Sequence, residues 1–290
     1  MNAYINNLTS KSYSFLAWLI VPVLLTWLGS SYIIGALVLK PSWSGGQTDP
    51  ASLSAAPFER TYPQIQQGKS GMVTIWFDDA WISQYMVAEP ILKAAGMTAA
   101  IAVPTGTVGY PSFTNWAELR ALQSEGWEID NHSVSHDCSM ETWTTDKMQK
   151  EFTESTNELW KQKLTSDIFV SPCGVNSPDL IAAAQKNFVA FRGTEPGYND
   201  LNNLDPFDLK VRNITNTTSI EEIEGWINDA RKSNLWVILV FHQVGADGET
   251  GNGEKYSINT EEFQSMVDFL KTSPVKVVLP SQALSLRKSN

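Results

Sequence analysis

An α/β fold built on parallel strands is what this sequence predicts. The prediction rests on short apolar runs alternating with amphipathic ones after residue 71, on glycines that close two of the amphipathic runs, and on enough chain for a sizeable core. Met72–Phe77 (MVTIWF) reads as a buried strand, followed by a helical stretch over Tyr85–Ala95 that Gly96 ends. Thr98–Val103 is a second strand, Trp116–Glu125 a helix closed by Gly126, and Trp127–Asn131 a third strand. Thr144–Leu164 follows as a long helix with a polar face. The pattern continues through Ile168–Ser171, Leu180–Asn187, Phe188–Phe191, Ile220–Ser233, Trp236–Phe241, Thr260–Thr272 and Val275–Leu279. Strand and helix in alternation place helices outside a parallel sheet, either closed as a barrel or open and doubly wound. No internal repeat is visible.

The chain is 290 residues long with a formal net charge of -10, an acid excess that argues against a nucleic-acid partner. Charged residues make up only 18%, and the deficit has a local cause: no charge occurs between Lys11 and Lys40. Residues 15–39 (FLAWLIVPVLLTWLGSSYIIGALVL) are apolar over a span long enough for a transmembrane helix, which needs about 20 residues. A cleaved signal peptide has a shorter apolar region, about 7–15 residues, so the length favours a retained anchor. Residues 1–14 form a short tail before it, and residues 40–70, rich in Pro, Ser, Gly and Gln, read as a linker. The domain proper is then residues 71–290. Lys11 on one side and Lys40 with Arg60 on the other leave the membrane orientation unspecified by charge.

Only three histidines occur in the chain, and each follows a predicted strand. His132 and His136 come directly after WEIDN, His242 after WVILVF, and the Asp78–Asp79 pair after MVTIWF. C-terminal strand ends are the rim on which α/β folds collect their catalytic groups. An i, i+4 histidine pair can present both imidazoles on one face of a helical turn, and a carboxylate can complete a metal site with one position open. Each of these residues also has a plainer role, the histidines as surface or core residues and the Asp pair as a turn or cap. Their joint placement is what favours the site.

These segments resemble the polysaccharide deacetylases, the NodB-type carbohydrate esterases of family 4, over about Met72–Leu284. The family's Thr/Ser-Phe-Asp-Asp-Gly motif appears as Trp76-Phe77-Asp78-Asp79-Ala80, and its His-Ser/Thr-x-x-His motif is intact as His132–His136. Its Arg-x-Pro-aromatic-Gly motif is reduced to Val170-Ser171-Pro172-Cys173-Gly174, and its Leu-x-His appears as Val240-Phe241-His242. A further motif, usually an Asp with a Trp, has no clear counterpart. The resemblance implies a distorted (β/α)7 barrel and metal-dependent removal of N-acetyl groups from a polysaccharide of the N-acetylglucosamine type. It implies one divalent ion, zinc by expectation, held by Asp79, His132 and His136, with a water activated by the ion as nucleophile. Asp78 would be the general base, His242 the general acid, and the Cys173 backbone N–H, after Pro172, an oxyanion donor. A cell-surface substrate would put the catalytic domain on the extracytoplasmic side of a single-pass membrane protein.

Departures from the family pattern carry expectations of their own. Ala80 in place of Gly matters if that position needs a positive φ. Arg192 or Arg212 is the candidate to replace the missing Arg. Cys173 reads foremost as an inert small residue, with a pairing to Cys138 or a sugar contact as alternatives. Trp81 and Trp143 are the candidates for stacking on a sugar ring, against plain core packing. The loop Gly245–Tyr256 reads as a flexible rim beside His242. A non-catalytic glycan-binding descendant and a hydrolase of a non-sugar amide are the alternative functions.

Overall fold

The computed structural model describes residues 70–245 and 255–286. The chain divides into two units, Met1–Ser54 and Ala55–Asn290, and the first lies wholly outside the described residues. So do the tail and anchor read at 1–14 and 15–39, all of the linker but its last residue, and most of the loop after Gly245. Among the described residues no helix is long and apolar enough to cross a membrane.

Seven parallel strands close on themselves: β1 (Met72–Phe77), β2 (Ala100–Val103), β3 (Glu128–Asn131), β4 (Ile168–Val170), β5 (Ala190–Pro196), β6 (Leu209–Asn213) and β7 (Trp236–Phe241). Closure is a full ladder between β1 and β7, from Met72↔Trp236 to Phe77↔Phe241. The other edge of β1 is shared, with Trp76 and Phe77 pairing with β2 and Met72 and Val73 pairing with the short β10 (Lys276–Val277). The barrel predicted at the sequence level is therefore the architecture observed, with the strand order following the chain.

Continuous apolar strands are what a sheet covered on both faces requires. On β1 and β7 the alternate residues sort into two cores. Met72, Trp76, Trp236, Ile238 and Val240 fill the barrel interior. Val73, Ile75, Phe77, Val237, Leu239 and Phe241 meet the surrounding helices. Those helices are α1 (Glu89–Ala94), α2 (Trp116–Ser124), α5 (Ile220–Ser233) and α6 (Thr260–Thr272), which contribute Leu92, Leu119, Ile227 and Phe263. A third cluster joins α3 (Thr145–Lys161) and α4 (Pro178–Ala184) to Phe169 and Phe191. The last helix, α7 (Pro280–Ser285), plugs the lower end of the barrel with Ala283 and Leu284. Helix starts are capped by side chains, with Asn115 and Glu118 forming a capping box on α2 and Ser219 and Glu222 another on α5.

Several boundaries depart from expectation for local reasons. The first helix is split into a π-helical turn at Gln84–Ala88 and α1, because Pro90 lacks the N–H that a continuous α-helix needs there. β5 runs on from Phe191 to Pro196 through an irregularity in register after Arg192. β6 and α7 were not anticipated, nor was the pair β8 (Gln243–Val244) and β9 (Ser257–Ile258) that brackets the loop after His242.

Trp236 is fully buried in the barrel and donates its indole N–H to Thr74 Oγ1 at 2.9 Å. Trp236→Ala is expected to cost about 3–5 kcal/mol, read as a shift of the urea unfolding midpoint.

Candidate metal and catalytic site

The upper end of β1 sets the geometry. The Asp78 N–H still donates to Phe241 O at 2.9 Å, as a strand residue would. Asp79 (φ 72) and Ala80 (φ 57) then turn through the left-handed region. The position of Ala80 does take positive φ, and alanine there costs about 1 kcal/mol or more relative to glycine. Its carbonyl is held by both the N–H (2.8 Å) and the hydroxyl (3.1 Å) of Thr114.

This turn sends two neighbouring carboxylates to different partners. Asp78 is buried and accepts from the Arg192 guanidinium with one oxygen, while its other oxygen lies 3.9 Å from His242 Nε2. Asp79 directs Oδ1 at His132 Nε2 (3.4 Å) and His136 Nε2 (3.0 Å), and accepts the Trp81 indole N–H on Oδ2 at 3.1 Å. Burial pushes the Asp79 carboxyl up, but the imidazoles of His132 and His136 outweigh it and hold the group well below the usual range. Burial pushes His242 down, with the charges of Asp78 and Asp79 offsetting only part of that.

The histidine pair converges without being helical. Residues 132–136 form a loop with Ser133 at φ 64 and His136 at φ 51, not the helical turn the spacing suggested. Its shape is fixed by its surroundings. Glu151 on α3 accepts the N–H groups of Val134 (2.9 Å) and Ser135 (3.0 Å), and Asn131 Oδ1 accepts that of Ser133. On the other side Thr105 and Gly106 donate to Ser133 and Val134, and a Cβ on Gly106 would meet Val134 O at 2.6 Å. His132 Nδ1 donates to Val170 O at 2.7 Å, which leaves its Nε2 lone pair facing Asp79.

The donor set fits a divalent metal. Ligand atoms of Asp79, His132 and His136 lie within 4.8 Å of one another. Asp79 Oδ1 is buried with no hydrogen bond of its own, an expensive arrangement unless a cation takes up the charge. One carboxylate and two imidazoles suit zinc and related ions.

Other candidates fall as follows. Arg192, fully buried, is the arginine that reaches Asp78; Arg212 lies over the rings of Tyr198 and Trp226 instead. Pro172–Gly174 form a short 3-10 turn with Cys173 at φ 55. Cys173 is not an inert small residue, because it forms a disulfide with Cys138. Among the described residues its N–H has no backbone acceptor. Trp81 stacks on Phe113 at 4.5 Å and orients Asp79, so its indole N–H serves the carboxylate. Trp143 is buried among α3 and α4 residues and donates to Asp137 at 3.1 Å, a core position and not an open ring face. Sequence reasoning missed Gln84, whose amide joins Asp78 O and His242 O across the rims of β1 and β7. It also missed Glu151. Neither residue belongs to a motif, and only the fold brings them to the site.

Residues 66–190 match the family model described as polysaccharide deacetylase. Over those residues, less than half of its length, the chain is similar to the polysaccharide deacetylases. It is 27% identical over 129 residues to YxkH of Bacillus subtilis (strain 168), whose given name is that of a polysaccharide deacetylase. That match takes in 43% of this chain and 45% of YxkH, so the chain spans less than half the length of this curated relative. Two solved structures share the fold. One is the Xyl-CE4 domain of a xylanase from the hindgut metagenome of Trinervitermes trinervoides, at 16% identity and TM-score 0.54, covering 76% of this chain and 93% of that one. The other is a family 4 acetyl xylan esterase from Clostridium thermocellum in complex with a cobalt ion, at 19% identity and TM-score 0.52, covering 74% and 91%.

In the barrel the Asp78–Arg192 pair is buried, so little solvent is present to soften its loss. Arg192→Met is expected to destabilise by about 3–5 kcal/mol, because it leaves a buried carboxylate unpaired. Asp78→Asn added to it should recover part of that, as a double-mutant cycle in urea would show. A pH series on the metal-free protein checks His242. Its folded pKa lies below 6.5, so the unfolded chain binds more protons as pH drops through that value, and stability is lost on going acid. His242→Gln should flatten that limb relative to wild type.

Proposed function

We propose that the domain is a metal-dependent hydrolase that removes N-acetyl groups from a polysaccharide of the N-acetylglucosamine type. The observation that carries this reading is the division of labour between Asp78 and Asp79: one carboxylate faces two imidazoles, and its neighbour faces a guanidinium and a third imidazole. A purely glycan-binding domain has no use for the second arrangement.

Asp79, His132 and His136 would hold one divalent ion, with zinc the choice the ligand set favours. When bound, the ion supplies a Lewis acid that polarises the acetyl carbonyl and acidifies a water molecule. Asp78 takes a proton from the attacking water, and Arg192 keeps that carboxylate aimed at the reacting centre. The Cys173 N–H, free of a backbone acceptor, donates to the oxygen on which charge develops. His242 delivers a proton to the departing nitrogen, so the sugar leaves as the amine and the acetyl group as acetate. Because burial keeps His242 neutral at rest near pH 7, that proton is one it gains within the cycle. Asp78 Oδ2, 3.9 Å away, is the nearest carboxylate to supply it.

The apolar stretch at residues 15–39 supports a single-pass anchor, and the Cys138–Cys173 disulfide supports an extracytoplasmic location for the domain, since disulfides persist in oxidising compartments. The test is acetate release from N-acetylglucosamine oligomers. Wild type should be active, and Asp78→Asn should lose roughly 10²–10⁴-fold in rate, the range for a general base. Full activity in that variant would refute the assignment. Activity on small amides alone would move the substrate away from glycans.

A further inference from the structure

The seam between β3 and β4 is the thinnest in the barrel around the site. These strands share one Cα partner pair, Asn131↔Phe169, whereas β2 and β3 share four and β1 and β7 share six. Both functional loops stand directly above this seam, residues 132–138 on one side and Pro172–Gly174 on the other. Two links cross it there. One is buried, the hydrogen bond from His132 Nδ1 to Val170 O. The other is the Cys138–Cys173 disulfide, with Cα atoms 5.4 Å apart and both residues exposed at the rim. Cys138 comes two residues after His136, and the two sulfurs lie within 4.8 Å of a His136 ring nitrogen. Cys173 holds a left-handed φ of 55, a conformation non-glycine residues keep only when their surroundings impose it. Gly174 beyond it is pinned as well, since a Cβ there would meet Thr194 Oγ1 at 2.0 Å.

We propose that Cys138–Cys173 is a redox modification site: intact, it tethers the Cys173 N–H against the metal-ligand loop, and its reduction by a dithiol slows turnover. The proposal rests on the hydrolase reading above. A thiolate of the dithiol attacks one exposed sulfur and displaces the other as a thiolate, giving a mixed disulfide. The second thiol of the dithiol, as thiolate, then releases the remaining cysteine. Two electrons and two protons pass to the protein, leaving two cysteine thiols and one disulfide on the reductant. The disulfide acts by positioning the Cys173 N–H. The side chain of neither cysteine touches the reacting atoms.

The test uses the full chain, oxidised or treated with dithiothreitol, desalted and reloaded with zinc, beside Cys138→Ala/Cys173→Ala. Reduction should lower kcat on N-acetylglucosamine oligomers by about 10- to 100-fold, the scale on which a misplaced catalytic group acts. KM and bound zinc should stay near their oxidised values, reoxidation should restore the rate, and the double variant should be slow and indifferent to reductant. Amide hydrogen exchange gives a readout that needs no activity: it should speed up over residues 132–138 and 171–176 on reduction, with β1 and β7 unchanged. Equal turnover in the two redox states overturns the proposal. If the oxidised protein releases no acetate from any glycan, the hydrolase reading fails, and unchanged exchange in that case overturns the tether too.

Discussion

Two adjacent residues on an extended strand point to opposite faces, and the site depends on breaking that rule just after Asp78. Were β1 to continue, Asp78 and Asp79 would sit on opposite faces of the barrel wall, one among the interior side chains and the other under the helices. The left-handed turn at Asp79 and Ala80 brings both carboxylates to the rim instead. The conformation is costly for residues with a Cβ, and the structure offsets it with contacts that a strand end would not otherwise need. Thr114 grips Ala80 O from two donors, and Ile82 N donates to Ser112 O at 2.8 Å. The loop before α2 therefore acts as a buttress for the segment that carries both carboxylates.

Once the carboxylates are separated, electrostatics assigns the rest. Buried charge is tolerated when it is paired, and Asp78 has its partner in Arg192. Among the described residues Asp79 has no Lys or Arg paired with it, only imidazoles whose Nε2 atoms face it. Trp81 occupies the oxygen that faces away from them. The result is a concentration of negative charge with two lone-pair donors at one point, the environment a divalent cation completes. Arg192 arrives from β5, His132 and His136 from the loop after β3, and His242 from the end of β7, so barrel closure is a precondition of the chemistry. The sparse β3–β4 ladder makes the disulfide a natural substitute for missing strand pairs at the point where the ligand loop stands.

Much of this was legible in the sequence, in proportion to how local the signal is. β1, α5, β7 and α6 fall on the expected residues because each combines an uninterrupted pattern with a clear start or stop. β6 was invisible: Leu209–Asn213 (LKVRN) has only two apolar residues, and its strand character comes from pairing with β5 and β7. The metal-ligand candidates stood out because histidines are scarce and follow strands. Their loop geometry did not, since it depends on Glu151, nineteen positions after His132. Arg192 and Arg212 could not be separated from chain position, because the choice is a matter of which face of its strand each occupies. Cys138 and Cys173, 35 positions apart in sequence, pair only because β3 and β4 are neighbours in the barrel.

The division of labour between the two carboxylates is the claim on which the account rests, and metal counting tests it most directly. Elemental mass spectrometry on zinc-treated wild type, Asp78→Asn and Asp79→Asn should find about one ion per chain in the first two and little in the third. Equal metal content in the two variants, whether both retain the ion or both lose it, would contradict the separate roles that the turn after Asp78 is held to create.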